Sequence, residues 1–274
     1  MSYSINPSTG TLTQVGTAIP AGNNHCARLV AHPNGRYLYA SNYNASGPHV
    51  YGYNIESSGG LSNAIPYTLS PQGNSDMAIS SQHFMYVALH FSGGAQVAGY
   101  PLDSEGILTA QATLTSFKAN QSNDLALHPN ENLLYESTCG GLLYGFKIAG
   151  DGTLSDISSG LPSHRVLTVA IEPSGKYIYC GGCQGHGNPN LYAYSINQTE
   201  GSLTHIQTIN NAVSDNSQNS PAITIDPSGR FLYITRYNLN RVDGYSINAS
   251  TGALTSIGSF NTGGSPRELV IVDF

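Results

Sequence analysis

The chain has 274 residues, with 31 Gly, 18 Tyr, no Trp and only 9% charged residues, a composition of many turns and aromatic sheet faces rather than of helices. A formal net charge of −6 with only 10 Lys and Arg leaves no basic footprint for nucleic acid. No apolar run approaches the length needed to cross a bilayer as a helix.

From the first residues onward one pattern dominates. Tyr3-Ser4-Ile5 is followed by Gly10-Thr11-Leu12, and the same Tyr-x-Ile/Leu…Gly-x-Leu signature returns at Tyr53, Tyr100, Phe146, Tyr194 and Tyr245. The spacing is roughly 48 residues, the length of a four-stranded propeller blade. A second signature interleaves with it: His32-Pro33-Asn34-Gly35-Arg36-Tyr37-Leu38-Tyr39, Glu172-Pro173-Ser174-Gly175-Lys176-Tyr177-Ile178-Tyr179 and Asp226-Pro227-Ser228-Gly229-Arg230-Phe231-Leu232-Tyr233. Worn copies occupy 80–86 and 128–135. In each copy an apolar run meets a tight turn and then an aromatic and aliphatic run, which reads as strand, turn, strand.

The first full unit therefore predicts strands at 28–31, 37–41, 49–55 and 61–69. Its third strand alternates in Val50-Tyr51-Gly52-Tyr53, as does Val242-Asp243-Gly244-Tyr245. The Gly turns before Leu61, Leu108, Leu154, Leu203 and Leu254 predict the outer hairpins, and no stretch sustains a helical period. The expected architecture is an all-β propeller forming a single domain, 1–274, with units at 26–70, 74–118, 122–162, 166–211 and 220–260. A sixth unit is split between 265–274 and 1–19, so the termini are expected to share a blade and close the ring. A truncated seven-bladed parent is the rival reading.

Four cysteines are too few for a disulfide scaffold in a chain of this size. Cys180-Gly181-Gly182-Cys183-Gln184-Gly185-His186 has a metal-like look, but Cys180 aligns with Ala40, Val87 and Ile234 and is read as a small core residue. No metal and no cofactor is assigned. Met1-Ser2-Tyr3 is not a charged lead into an apolar signal segment, and the compartment stays unassigned.

Aligned on the Pro-x-Gly turns, one residue per unit stands at the start of the inner strand: Arg28, Asp76, Asp124, Thr168, Ala222 and Arg267. In a closed six-unit ring the four charged positions would form one arc, a candidate ligand site in a chain so poor in charge. The second-to-third-strand loops add His90, His186 and Arg236. Glu136 stands where the other units carry small or apolar residues, so a carboxylate there needs a partner or a raised pKa.

The repeat units resemble the propeller lactonase family, which includes bacterial 6-phosphogluconolactonase and the fungal carboxymuconate-cyclising enzymes. The resemblance rests on the Pro-Ser-Gly-Arg-Phe-Leu-Tyr motif at 227–233 and the Tyr-Ser-Ile-Asn type motif at 3–13 and 245–255. It implies a propeller, seven-bladed in the family's enzymes and here with fewer blades. Gly263-Gly264-Ser265-Pro266-Arg267 is similar to the family's Gly-x-x-Pro-Arg motif, and Gln184-Gly185-His186 to its Arg-Gly-His motif; for the family's Pro-Arg-His this chain has Cys26-Ala27-Arg28.

As a lactonase-like hydrolase, the protein would use Asp76 or Asp124 as general base, with His186 as the alternative. Arg28 and Arg267 would hold a substrate carboxylate or the developing oxyanion, with Arg236, His90 and Glu136 as further substrate contacts. The expected partner is a small sugar or lactone, with no nucleic acid and no membrane. A monomer is expected, with self-association through an open strand edge as its alternative. The competing class is a non-catalytic binding scaffold for carbohydrate or protein, including a truncated or engineered piece of a larger propeller.

Overall fold

The computed structural model describes residues 2–6, 8–9, 11–19, 26–42, 49–69, 76–91, 94–109, 113–114, 121–139, 142–157, 159–182, 189–213, 221–267, 269 and 271. Five four-stranded antiparallel sheets follow one another along the chain, each in simple sequential order. They are β3 (Cys26–Ala31), β4 (Tyr37–Asn42), β5 (Val50–Ile55), β6 (Leu61–Tyr67); β7 (Asp76–Ile79), β8 (Phe84–Phe91), β9 (Gly94–Pro101), β10 (Thr113–Leu114); β11 (Gln121–Leu127), β12 (Leu133–Cys139), β13 (Leu143–Ile148), β14 (Leu154–Asp156); β15 (Thr168–Ile171), β16 (Tyr177–Gly181), β17 (Leu191–Ile196), β18 (Leu203–Ile209); and β19 (Ile223–Ile225), β20 (Phe231–Arg236), β21 (Arg241–Ile247), β22 (Leu254–Asn261). They are preceded by the hairpin β1 (Ser2–Ile5) and β2 (Leu12–Val15).

The repeat units thus emerge as meanders, and the one helical element among the described residues is a 3₁₀ turn at Tyr237–Leu239. Among the described residues no helix is long and apolar enough to cross a membrane. Of the outer strand expected after Gly106, the described residues pair through a bridge between Leu108 and Leu102, a bond from Thr109 N to Pro101 O at 3.0 Å, and β10. The expected inner strand at 265–274 falls partly on residues outside the described set. Its described part carries no strand, though Thr224 Oγ1 donates to Leu269 O at 2.9 Å, alongside β19. By compactness the chain divides into two units, Met1–Phe117 with Phe274, and Lys118–Asp273.

The turn chemistry explains why different residues serve at one position. The residue opening each Pro-x-Gly turn supplies an acceptor to the turn's own N–H groups: His32 Nδ1 takes Asn34 N at 3.1 Å, His128 Nδ1 takes Asn130 N at 3.1 Å, Glu172 Oε2 takes Ser174 N at 2.7 Å and Asp226 Oδ1 takes Arg230 N at 2.7 Å. Imidazole and carboxylate are interchangeable here because both accept. The fourth turn position is left-handed throughout, at Gly35, Gly175 and Gly229 but also at His83 (φ 66°) and Glu131 (φ 57°). Those two non-glycine residues, with Ser81 in place of the turn proline in the first copy, are why the copies at 80–86 and 128–135 look worn.

The two repeating signatures are physically one device. The phenol of the second-strand tyrosine donates to the carbonyl of the outer-turn glycine in the following sheet: Tyr39 to Gly106, Tyr135 to Gly201 at 2.8 Å and Tyr179 to Gly252 at 3.0 Å. Each of these phenols is buried, and burial pushes its pKa upward, so it stays a donor at any ordinary pH. The apolar cores lie on the same surfaces, between successive sheets. Leu133, Tyr135 and Leu143 pack with Ile178, Cys180, Tyr192 and Tyr194, whereas Tyr179 and Leu191 pack with Leu232, Ile234 and Tyr245. Cys180 is fully buried, and its thiol is pushed far up by burial, as its place in the core demands.

Two histidines tie this packing to pH. His164, in the crossover from β14 to β15, stacks on Tyr192 with ring centroids 3.9 Å apart and shares a 3.0 Å hydrogen bond with Tyr194 Oη. Burial first, then the neighbouring His205, lowers its pKa, and burial and His83 do the same to His32. A histidine held below its unfolded value takes up its proton more readily when unfolded. Stability is therefore whole above about pH 6.5 and falls as pH drops through the folded values. Melting temperatures measured at pH 7.5, 6.5 and 5.5 are expected to decline across that series. The decline should be shallower in His164→Gln, and an equal slope would remove His164 from the account.

Candidate functional site

The inner strands begin irregularly, and this sets the candidate residues in place. β3 slips register against β4 between Cys26 and Leu29, and β11 slips against β12 between Ser122 and Asp124. Such bulges re-aim side chains at the end of a sheet. Hydroxyls late in the second strand brace these starts: Arg28 N donates to Ser41 Oγ at 2.9 Å, Ala222 N donates to Thr235 Oγ1 at 2.8 Å, and Ser137 Oγ donates to Leu167 O at 2.8 Å.

On this frame Arg28 Nε lies 3.5 Å from Asp76 Oδ1, a partly exposed ion pair that links β3 to β7. The sequence placed both residues in the charged arc, and the structure brings them together. Asp124 is engaged differently. Its Oδ2 accepts from Thr168 Oγ1 at 2.9 Å and from Val169 N at 3.0 Å, so the carboxylate spans from β11 to the start of β15. Both bonds fall on one oxygen. Thr168, which the sequence set on the uncharged side of the series, is thereby part of the same arrangement.

Glu136 is fully buried within β12, and Ser122 Oγ donates to its Oε1 across the β11–β12 ladder. Arg236, at the end of β20, is also buried. Its Nη1 lies 2.9 Å from Asp243 Oδ2, with both side chains less than a tenth exposed. Asp243 gathers two further partners, Arg241 Nε at 2.8 Å and Ser259 Oγ at 2.6 Å. Sequence reasoning missed Asp243 as the hub of this network. The available signal was that Asp243 stands where three of the other sheets carry Tyr51, Tyr144 and Tyr192 and the fourth carries Ala98.

Beside it Arg267 is exposed, with its guanidinium 5.0 Å from the centroid of the Tyr237 ring. Hydrogen bonds from Arg267 and Ser265 hold the Tyr237 phenol below its ordinary pKa. Two arginines, 236 and 241, thus share the Asp243 carboxylate, and Arg267 stands over Tyr237, the residue that follows Arg236. The side chain of His90 and the whole of His186 lie outside the described residues.

Successive four-stranded meanders, joined by tyrosine-to-glycine bonds and bearing charged side chains at inner-strand starts, define a β-propeller. Residues 169–273 match the family described as Lactonase, 7-bladed beta-propeller, and this is the family that the blade motifs resemble. No curated protein matches the chain. Among solved structures, a provisionally assigned 6-phosphogluconolactonase from Bacteroides uniformis ATCC 8492 superposes with a TM-score of 0.77 at 19% identity, over 98% of this chain and 80% of that one. A periplasmic gluconolactonase from Pseudomonas aeruginosa gives 0.74 at 17% identity, over 96% and 79%. A Lactobacillus plantarum protein gives 0.75 at 18% identity, over 97% and 79%. At these identities the likeness is one of fold.

Proposed function

We propose that this protein is a lactonase-like hydrolase whose substrate is a lactone bearing an anionic group, bound by residues of the inner-strand starts and the adjoining loops. The family match supports hydrolysis of a lactone as the reaction class. The observation that carries the assignment of a base is the tethering of Asp124 among the described residues through Oδ2 alone, by Thr168 and Val169. A carboxylate fixed by one oxygen and open at the other is oriented to take a proton from water.

In the proposed step the water oxygen attacks the lactone carbonyl carbon as Asp124 removes a water proton. The tetrahedral intermediate then breaks its ring C–O bond, and the departing oxygen takes that proton back from Asp124. The product is the open hydroxy acid. Arg267, exposed and steadied against Tyr237, is the cation assigned to the substrate's anionic group. Asp76 is less suited to the proton transfer because Arg28 already faces it. Arg236 is likewise committed to Asp243, and its part is to hold the corner in which Arg267 stands.

The test is base consumption at fixed pH against a panel of aldono- and carboxylated lactones. Asp124→Asn keeps the shape and both tethers, and is expected to lower kcat by about a hundredfold. Arg267→Ala should act mainly on KM for anionic lactones and spare neutral ones. Folded wild-type protein without turnover on any of the lactones would replace the hydrolase by the binding scaffold, and full activity in Asp124→Asn would remove that residue as the base.

A further inference from the structure

Within the Met1–Phe117 unit, a groove of 590 Å³ runs between the β3–β6 sheet and the outer turn that follows β9. Its apolar floor includes Ile65 and Ile107, and four polar side chains line it: Arg36, Asn54, Asn63 and Glu105. None of the four side chains has a hydrogen-bond or ion-pair partner among the described residues. We propose that this groove is a saccharide-binding site, distinct from the residues assigned to hydrolysis.

Three observations carry it. First, the groove's carboxylate is uncommitted among the described residues, whereas Glu172, which lines a different pocket of 170 Å³ at the turn between β15 and β16, is consumed by its own turn, taking N–H groups from Ser174, Lys176 and Tyr177. Second, the bulge at Gly52–Asn54 sets Asn63 in the left-handed region, φ 52°, in the middle of an outer strand. Asparagine tolerates that conformation, but glycine would fill it at lower cost, so the carboxamide is an addition to what the backbone needs.

Third, the lining chemistry selects the ligand. One guanidinium and one carboxylate cancel, which disfavours a polyanion or polycation. Two carboxamides beside them add forked, planar hydrogen-bonding groups, which engage neighbouring hydroxyls in pairs. Ile65 and Ile107 give a C–H face of a sugar ring an apolar surface to lie on, and the volume is that of a small-molecule site.

The experiment is an amide-resolved NMR titration of the full chain with maltotriose, cellotriose and triacetylchitotriose, each to about 20 mM, with triglycine as the zwitterionic competitor class. At least one trisaccharide is expected to shift the amides of residues 36, 54, 63 to 65 and 105 to 107 saturably. Asn63→Gly, which suits the left-handed backbone, and Arg36→Ala should each weaken that binding roughly tenfold while leaving lactone turnover and the melting temperature unchanged. The proposal is overturned by an absence of saturable shifts with all three sugars, by undiminished affinity in both variants, or by triglycine binding the groove more tightly than any sugar. Loss of lactone turnover elsewhere leaves this result untouched, so the two readings fail separately.

Discussion

Asp243→Ala is expected to lower the melting temperature by roughly 10 °C, the equivalent of about 3–5 kcal/mol in a chain of this size. The reason is asymmetry. Arg236 and Asp243 are 7% and 8% exposed, and the single carboxylate also serves Arg241 and Ser259. Removing it leaves the Arg236 guanidinium buried without its counter-charge, and that penalty exceeds any net gain the pair provided while intact. The sister sheets show how the same place is filled without charge: β12 and β13 carry Thr138 and Tyr144 where β20 and β21 carry Arg236 and Asp243. The double variant Arg236→Thr with Asp243→Tyr should therefore recover most of the loss, because a buried pair exchanged for packed residues is often close to neutral. Thermal unfolding of the three proteins decides the matter. A single variant that melts within about 2 °C of the parent would show that water reaches Arg236 freely.

Gly252→Ala is expected to cost about 3 kcal/mol, and it separates backbone from packing at the surface between successive sheets. Gly252 has φ 71°, and a Cβ there would lie 2.4 Å from Tyr177 Cδ1 and 2.7 Å from its Cε1. The ring cannot retreat easily, because Tyr177 is packed in the same core as Tyr179, whose phenol holds the Gly252 carbonyl. Gly59→Ala is the matched control: φ is 81°, yet a Cβ would meet nothing within 4 Å. That change should cost only about 1 kcal/mol, the conformational share. Denaturant unfolding of both variants gives the difference directly. Equal losses would mean that the close approach of glycine to tyrosine contributes nothing to holding the sheets together.

The sheets and their turns were legible in the chain because their causes are local. A Pro-x-Gly turn, an alternating third strand and a glycine before each outer strand all act within a few residues, so period and boundary can be read directly. Even the two worn copies follow the rule. His83 and Glu131 adopt the left-handed conformation that glycine adopts elsewhere, and Ser81 stands where the other turns carry proline.

That Asp76 and Thr168 open inner strands was equally legible, but the partners of the charged residues were not. Thr168 meets Asp124 across 44 residues, and Tyr135 meets Gly201 across 66. Arg236 finds Asp243 only seven residues away, yet which of Asp243 and its neighbours faces the guanidinium depends on the register of β20 on β21. The sequence by itself determined the repeat, the strands, the turns and the scarcity of helix, since steric and hydrogen-bonding preferences of short segments suffice for those. Only the tertiary structure decided that Arg28 faces Asp76, that Asp124 is tethered by one oxygen and that Arg236 is buried against Asp243, because the partner of a charge is chosen by bulges, register and the stacking of sheets, which no local segment encodes.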